Sequence, residues 1–156
     1  MPSPSLTANG TVPGEVEAGQ VSRPEKTRPA LVLLVDDYAD CRDMYGAGLE
    51  FAGFLVLTAH DGLEALRVAR RTRPDIILMD LGLPGIDGCE ATRLLKQDPA
   101  TSSVPVIALT AQPLPSNQSM RSLGFEDVIT KPCLPDTLAD LVARAIRRCR
   151  DHRRVS

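Results

Sequence analysis

The sequence predicts an open α/β domain, a parallel sheet buried on both faces with helices between its strands. Three observations carry that prediction. Apolar runs rich in Val, Ile and Leu recur along the chain, the composition of strands covered on both sides. Stretches with apolar residues three and four positions apart separate them, which is the period of an amphipathic helix. Four of the runs end on a reactive polar residue: LVLLVDD at Asp36 and Asp37, IILMD at Asp80, VPVIALT at Thr110 and VITKP at Lys131. Parallel strands finish on one edge of their sheet, and ligands of open α/β sheets bind beyond that edge. Three carboxylates, a hydroxyl and an ammonium are therefore expected to converge there.

Residues 1–28 are rich in Pro, Gly, Ser and Thr, with no aromatic residue and no sustained period, so a disordered tail is expected. The folded domain is expected over 29–150, with 151–156 as a short basic tail. Leu31 to Val35 form the first strand. Cys41, Met44, Tyr45, Gly48, Leu49 and Ala52 then mark one face of a helix that Gly53 stops. Leu55 to Thr58 are the second strand, and Asp61-Gly-Leu-Glu64 has the spacing of a capping box at the next helix start. Beyond Pro74, Ile76 to Met79 give the third strand. The Gly-rich loop Leu81 to Gly88 follows, then a helix through Ala91, Leu94 and Leu95. Val104 to Thr110 are almost wholly apolar and read as a central fourth strand. Pro113 and Pro115 each remove a backbone donor, so the fourth helix is expected no earlier than Ser116. It should end near Gly124 after about two turns. Val128 to Thr130 make a fifth strand, and Leu138, Leu141, Val142, Ala145, Ile146 and Cys149 line a closing helix. Five strands alternate with five helices.

A chain of 156 residues with 43% hydrophobic content suits one domain with a two-sided core. Its net charge of −2 does not point to nucleic acid or an anionic membrane. The basic run from Ala143 to Arg154 reads as a solvated helix end whose cations complement the helix dipole, so no nucleic-acid contact is expected. Cys41, Cys89, Cys133 and Cys149 lack CxxC spacing and read as reduced packing thiols, not as a zinc site or disulfide framework. No basic-then-apolar leader is visible, and no apolar run approaches the roughly 20 residues of a membrane helix. The expected location is the cytoplasm, with no membrane contact.

Asp36, Asp37 and Asp80 brought to one point repel each other: two unit charges 4 Å apart cost roughly 4 kcal/mol at an effective dielectric of 20. A hard divalent cation offsets this. Mg²⁺ takes oxygen ligands, commonly one or two carboxylates, waters and a substrate phosphate. Lys131 would offer a mobile positive charge to a phosphoryl oxygen and Thr110 a neutral donor. Asp80, on the middle strand of the three, is placed as the nucleophile. A single Asp after a strand commonly caps the next helix. Coincidence at the ends of four separate strands favours phosphoryl chemistry over four unrelated caps.

VDD at 35–37, MD at 79–80, LPGIDG at 83–88, LTA at 109–111 and KP at 131–132 resemble the motifs of a response-regulator receiver domain, in order and approximate spacing. The resemblance covers Leu31 to about Cys149 and suggests a stand-alone receiver. It implies a flavodoxin-like fold with strand order 2-1-3-4-5. Asp80 would be phosphorylated by a histidine kinase or a His-phosphotransfer protein, and an unknown downstream protein would read the result by contact. It further implies Mg²⁺ held by Asp37, Asp80 and the Gly82 carbonyl, with Asp36 acting partly through water, and a cis Lys131-Pro132 bond. Val128 stands where the family commonly has Tyr or Phe, so the hydroxyl half of the usual switch, Thr110, is present without its aromatic half.

A haloacid-dehalogenase-type phosphatase would share the sheet, nucleophile, Thr, Lys and Mg²⁺ but needs a second acid two residues past the nucleophile. That position is Gly82, which points to a stoichiometric phosphoacceptor and away from a turnover enzyme. A phosphorylation-independent docking module is the other alternative, against which the intact acids weigh. His60, His152, Tyr38 and Phe125 read as surface or packing residues.

Overall fold

The five apolar runs lie side by side as one parallel sheet. The computed structural model describes residues 28–111 and 116–155. The expected tail before Arg28, and Gln112, Pro113 and Pro115, lie outside the described residues. In chain order the elements are β1 (Leu31–Val35), α1 (Ala39–Phe51), β2 (Leu55–Ala59), α2 (Gly62–Thr72), β3 (Ile76–Met79), α3 (Gly88–Gln97), β4 (Val106–Thr110), α4 (Asn117–Ser122), β5 (Asp127–Thr130) and α5 (Pro135–Val155). The strand order is β2-β1-β3-β4-β5, every pairing is parallel, and the fold is the flavodoxin-like one.

Alternation along the strands divides the core in two. Leu33, Val35, Ile77, Met79, Val106 and Ala108 face α2, α3 and α4, meeting Ala65, Ala69, Ala91, Leu95 and Met120. Val32, Leu34, Ile76, Leu78, Ile107 and Leu109 face the other way, against Tyr45 and Leu49 of α1 and Leu138, Val142, Ala145 and Ile146 of α5. Because both faces are covered, β3 and β4 are buried throughout and carry no polar side chain until the strand ends.

Local signals fix the helix ends. Asp61 caps α2 by accepting the Glu64 N–H at 2.8 Å, and Glu64 reaches back to the His60 N–H at 2.7 Å, one residue further out than in the usual box. Asp87 caps α3 through the Glu90 N–H at 2.8 Å, and Ser116 caps α4 through the Ser119 N–H at 3.2 Å. Gly53 takes a φ of 103° just past α1 and Gly124 a φ of 106° past α4, the left-handed conformation that needs no side chain.

Four sequence expectations shift. Met44 and Ala52 are exposed although they share the predicted α1 face. The buried stripe centres on Tyr45 and Leu49; Met44 lies one residue, about 100°, off that line, and Ala52 lies past the last turn. β4 begins at Val106, not Val104, because Pro105 has no N–H for the ladder and the Val104 N–H instead closes a turn on Thr101 O at 3.0 Å. β2 and β5 are each one residue longer, reaching Ala59 and starting at Asp127. α5 continues to Val155, so residues 151–155 are helical where a short basic tail was expected.

Two glycines of α1 test this packing. A Cβ at Gly48 would stand 2.4 Å from Cβ of Pro135, while one at Gly46 would meet nothing nearer than 3.9 Å. Gly48→Ala should cost about 1–3 kcal/mol in urea unfolding through overpacking of α1 on α5, whereas Gly46→Ala should be neutral or gain up to about 1 kcal/mol of helix propensity. The Asp61 cap has a pH signature. Its carboxyl is held below the ordinary value chiefly by the Glu64 N–H. Its stabilisation is therefore complete above the unfolded-state pKa of about 3.9 and is lost as pH falls through the lower folded-state value. Asp61→Ala should lower the urea midpoint at neutral pH by the equivalent of about 1 kcal/mol and narrow the gap to wild type in strong acid.

Candidate functional site

Every residue singled out at a strand end stands on the same edge of the sheet. Asp36 and Asp37 follow β1, Asp80 follows β3, Thr110 ends β4 and Lys131 follows β5. Ligand oxygens of Asp36, Asp37 and Asp80 lie within 4.8 Å of one another. The burial is graded: Asp36 is 1% exposed, the Asp80 side chain 13%, and Asp37 lies open at the mouth.

Asp36 is bonded at each polar atom. Its N–H donates to Ala59 O at 3.1 Å, its Oδ1 accepts the Tyr38 N–H at 2.9 Å and its Oδ2 accepts Lys131 Nζ. Arg42 Nη1 donates to its carbonyl oxygen at 2.7 Å. Asp80 is set by its own N–H on Val35 O at 3.0 Å, and its Oδ1 accepts the Gly82 N–H at 3.2 Å. Lys131 Nζ lies 3.7 Å from Asp80 Oδ2, so one ammonium bridges the two inner carboxylates. Burial pulls the Lys131 ammonium down, but the hydrogen bond to Asp36 and the charges of Asp36 and Asp80 outweigh it, and its pKa rests above the ordinary lysine value.

The backbone around the acids is shaped as tightly as the side chains. Lys131 N–H donates to Thr110 O at 2.9 Å, which ties the end of β5 to the buried Thr110 of β4. The Lys131-Pro132 peptide is cis. A Cβ at Gly88 would stand 2.3 Å from the Asp80 carbonyl oxygen, so glycine is what lets the loop Leu81 to Gly88 fold back over the strand it leaves.

An all-carboxylate cluster with one bridging ammonium suits a hard cation that accepts oxygen ligands. Asp37, exposed and outside the Lys131 bridge, and Asp80 would hold such an ion. Lys131 stands beside Asp80, where a negatively charged group would be neutralised.

Several residues fall outside this arrangement. His60 is exposed beside Asp61 and Glu64 at the start of α2, His152 is exposed on α5, and Phe125 is a buried packing residue. The four cysteines are free and half-buried. Tyr38 is 64% exposed at the mouth, adjoining Asp37. The sequence reading passed over Arg42. The signal available was electrostatic: a cation one turn into α1, near the positive end of the helix dipole, is unfavourably placed unless something nearby attracts it.

The fold and the acidic edge together are those of an open α/β domain with its candidate site beyond the strand ends. The chain matches the response regulator receiver domain over residues 32–143 and belongs to that family, whose members are signalling modules with a Mg²⁺-binding acidic pocket. It is 37% identical over 110 residues to the protein PilH of Pseudomonas aeruginosa, covering 70% of this chain and 91% of PilH. It is 39% identical over 118 residues to the phosphate regulon transcriptional regulatory protein PhoB of the same species, covering 75% of this chain but 52% of PhoB. The chain thus spans about half the length of PhoB. Among solved structures, the chemotaxis response regulator CheY4 of Vibrio cholerae superposes with a TM-score of 0.70 at 33% identity, covering 75% of this chain and 98% of CheY4. The receiver domain of the sensor histidine kinase PA1611 from P. aeruginosa matches with a TM-score of 0.69 at 35% identity, covering 76% and 98% of the two chains, and has magnesium coordinated in its active-site cleft. Among the described residues no helix is long and apolar enough to cross a membrane.

The like charges of the cluster are a standing cost, roughly 3 kcal/mol or more per pair at an effective dielectric of 20. Asp80→Asn removes one charge and leaves Lys131 with its buried partner Asp36. Without divalent cations its urea midpoint should equal or exceed that of wild type; a clear fall would contradict the electrostatic account of the cluster.

Proposed function

We propose that the protein is a phosphoacceptor of a two-component relay, taking a phosphoryl group from a histidine kinase or His-phosphotransfer protein onto Asp80 and signalling by protein contact. The observation that carries this is the bridging of Asp36 and Asp80 by Lys131 on the inner side of an otherwise all-carboxylate cluster. Asp80 Oδ1 accepts the Gly82 N–H, and Oδ2 faces the Lys131 ammonium. In this reading an Asp80 oxygen attacks the phosphorus of the donor phosphohistidine, the P–N bond breaks, and the imidazole leaves with its electron pair. Lys131 stays protonated, since its pKa is raised, and neutralises a phosphoryl oxygen. Asp37, Asp80 and the Gly82 carbonyl would hold Mg²⁺, with Asp36 contributing partly through water, and the ion would supply charge neutralisation for the incoming phosphoryl group. Thr110, at the end of β4 and joined to Lys131 through the backbone, is the residue whose hydroxyl would follow a phosphoryl oxygen. A shift between two states would then alter the surface offered to the downstream protein.

Gly82 favours this reading over a phosphatase. Two residues past the nucleophile it has no side chain to protonate a leaving group or activate water, so the aspartyl phosphate is the product and not an intermediate of turnover.

Intact mass tests the assignment. Wild type incubated with Mg²⁺ and acetyl phosphate should gain a single phosphoryl adduct that Asp80→Asn lacks. An equal adduct on both proteins would move the acceptor elsewhere. No adduct on either, with acetyl phosphate and with a phosphorylated histidine-kinase donor, would leave the docking-module reading.

A further inference from the structure

We infer that Arg42 is a positioning residue for Asp37, and through it for the metal that the proposed function requires. The inference rests on that reading of the site. Among the described residues Arg42 forms no ion pair. Its guanidinium, one turn into α1, reaches back over the helix start to the Asp36 carbonyl oxygen at 2.7 Å. A cation so near a helix N-terminus opposes the helix dipole, and the contact it makes is with a peptide, not a carboxylate.

That peptide is the one joining Asp36 to Asp37. With the Asp36 N–H on Ala59 O, its carboxylate between the Tyr38 N–H and Lys131, and its carbonyl on Arg42, the plane of the 36–37 peptide is fixed in rotation. The plane sets the direction in which Asp37 leaves the chain. Asp37 needs this, because it is exposed and its carboxylate takes part in no hydrogen bond or ion pair among the described residues. Asp36 is held by its own side chain; Asp37 is held only through the backbone on its two sides, the 36–37 peptide that Arg42 grips and the Tyr38 N–H that Asp36 Oδ1 accepts. The geometry therefore makes Arg42 a determinant of how well the outer carboxylate is presented to a cation.

Charge and positioning predict opposite signs, which makes the idea testable. If Arg42 acted only as a nearby positive charge, removing it would strengthen binding of a divalent cation. If it orders Asp37, removing it weakens binding, and loss of an outer-shell partner commonly costs roughly 10–100-fold in metal affinity. Mg²⁺ would be titrated calorimetrically into wild type, Arg42→Met, Arg42→Lys and Asp37→Asn at fixed pH and ionic strength, with thermal midpoints recorded before Mg²⁺ is added. Arg42→Met, which keeps the apolar part of the stem but has neither donor nor charge, should bind Mg²⁺ about tenfold more weakly at a midpoint close to that of wild type. Arg42→Lys, which keeps one donor on a stem of comparable reach, should recover most of that loss, and Asp37→Asn should locate the binding at this site. Equal or tighter Mg²⁺ binding by Arg42→Met overturns the inference while leaving the site's function standing. Absence of Mg²⁺ binding in wild type overturns both. Should Arg42→Met fail to fold, Arg42→Gln, too short to span to the Asp36 carbonyl, is judged by the same sign.

Discussion

A single ammonium lying between two carboxylates on the sheet edge organises this domain. Asp36 sits at the end of β1 and Lys131 at the end of β5, three strand positions apart in the order β2-β1-β3-β4-β5. Three spacings of a sheet come to about 14 Å. A long flexible stem and a short acid reaching from opposite sides can close that gap; two short side chains cannot. The contact therefore demands the parallel order, the common strand ends and the tie of Lys131 N–H to Thr110 O that fixes where the lysine starts. It also makes the burial of Asp36 tolerable, since an unpaired carboxylate at 1% exposure would be costly.

The strand ends were legible because sequence and chemistry reinforce each other there. An apolar run covered on both faces leaves its first polar residue at the edge, so the positions of Asp36, Asp37, Asp80, Thr110 and Lys131 could be read from where hydrophobicity stops. The Asp61 cap was readable for a related reason, since it bonds an N–H three residues on, a local interaction with a local spacing; Asp87 and Ser116 cap by the same spacing but went unread as caps. Pro113 and Pro115 bounded the expected start of α4 at Ser116, and its first residue is Asn117.

What escaped depends on contacts without a short-range signature. Arg42 meets a carbonyl oxygen, and any residue has one, so its place near a helix N-terminus marks the cation as unusual without marking the oxygen it meets. Met44 fits the apolar stripe of α1 by count but not by angle, because the helix is turned to place Tyr45 and Leu49 over the sheet. The last turns of α5 are too charged to resemble a core helix. They are nevertheless continuous with it, and Arg153 reaches Ser103 O at 3.5 Å where a free tail was expected.

That continuation places a band of arginines away from the acidic edge, of which Arg148 is paired with Asp127 at 3.6 Å. α5 starts beside Lys131 and runs 21 residues away from the acidic edge, about 31 Å at helical rise. It carries the exposed Arg144, Arg147, Arg148 and Arg153 toward the opposite end, while Asp36, Asp37 and Asp80 mark the near one. Separated charge of this kind exerts a torque on an approaching charged body before any contact forms. A cationic surface is turned toward the mouth that holds Asp80 and an anionic one toward the far end of α5. A helix that runs away from the acidic edge thus bears on the orientation of an encounter at that edge.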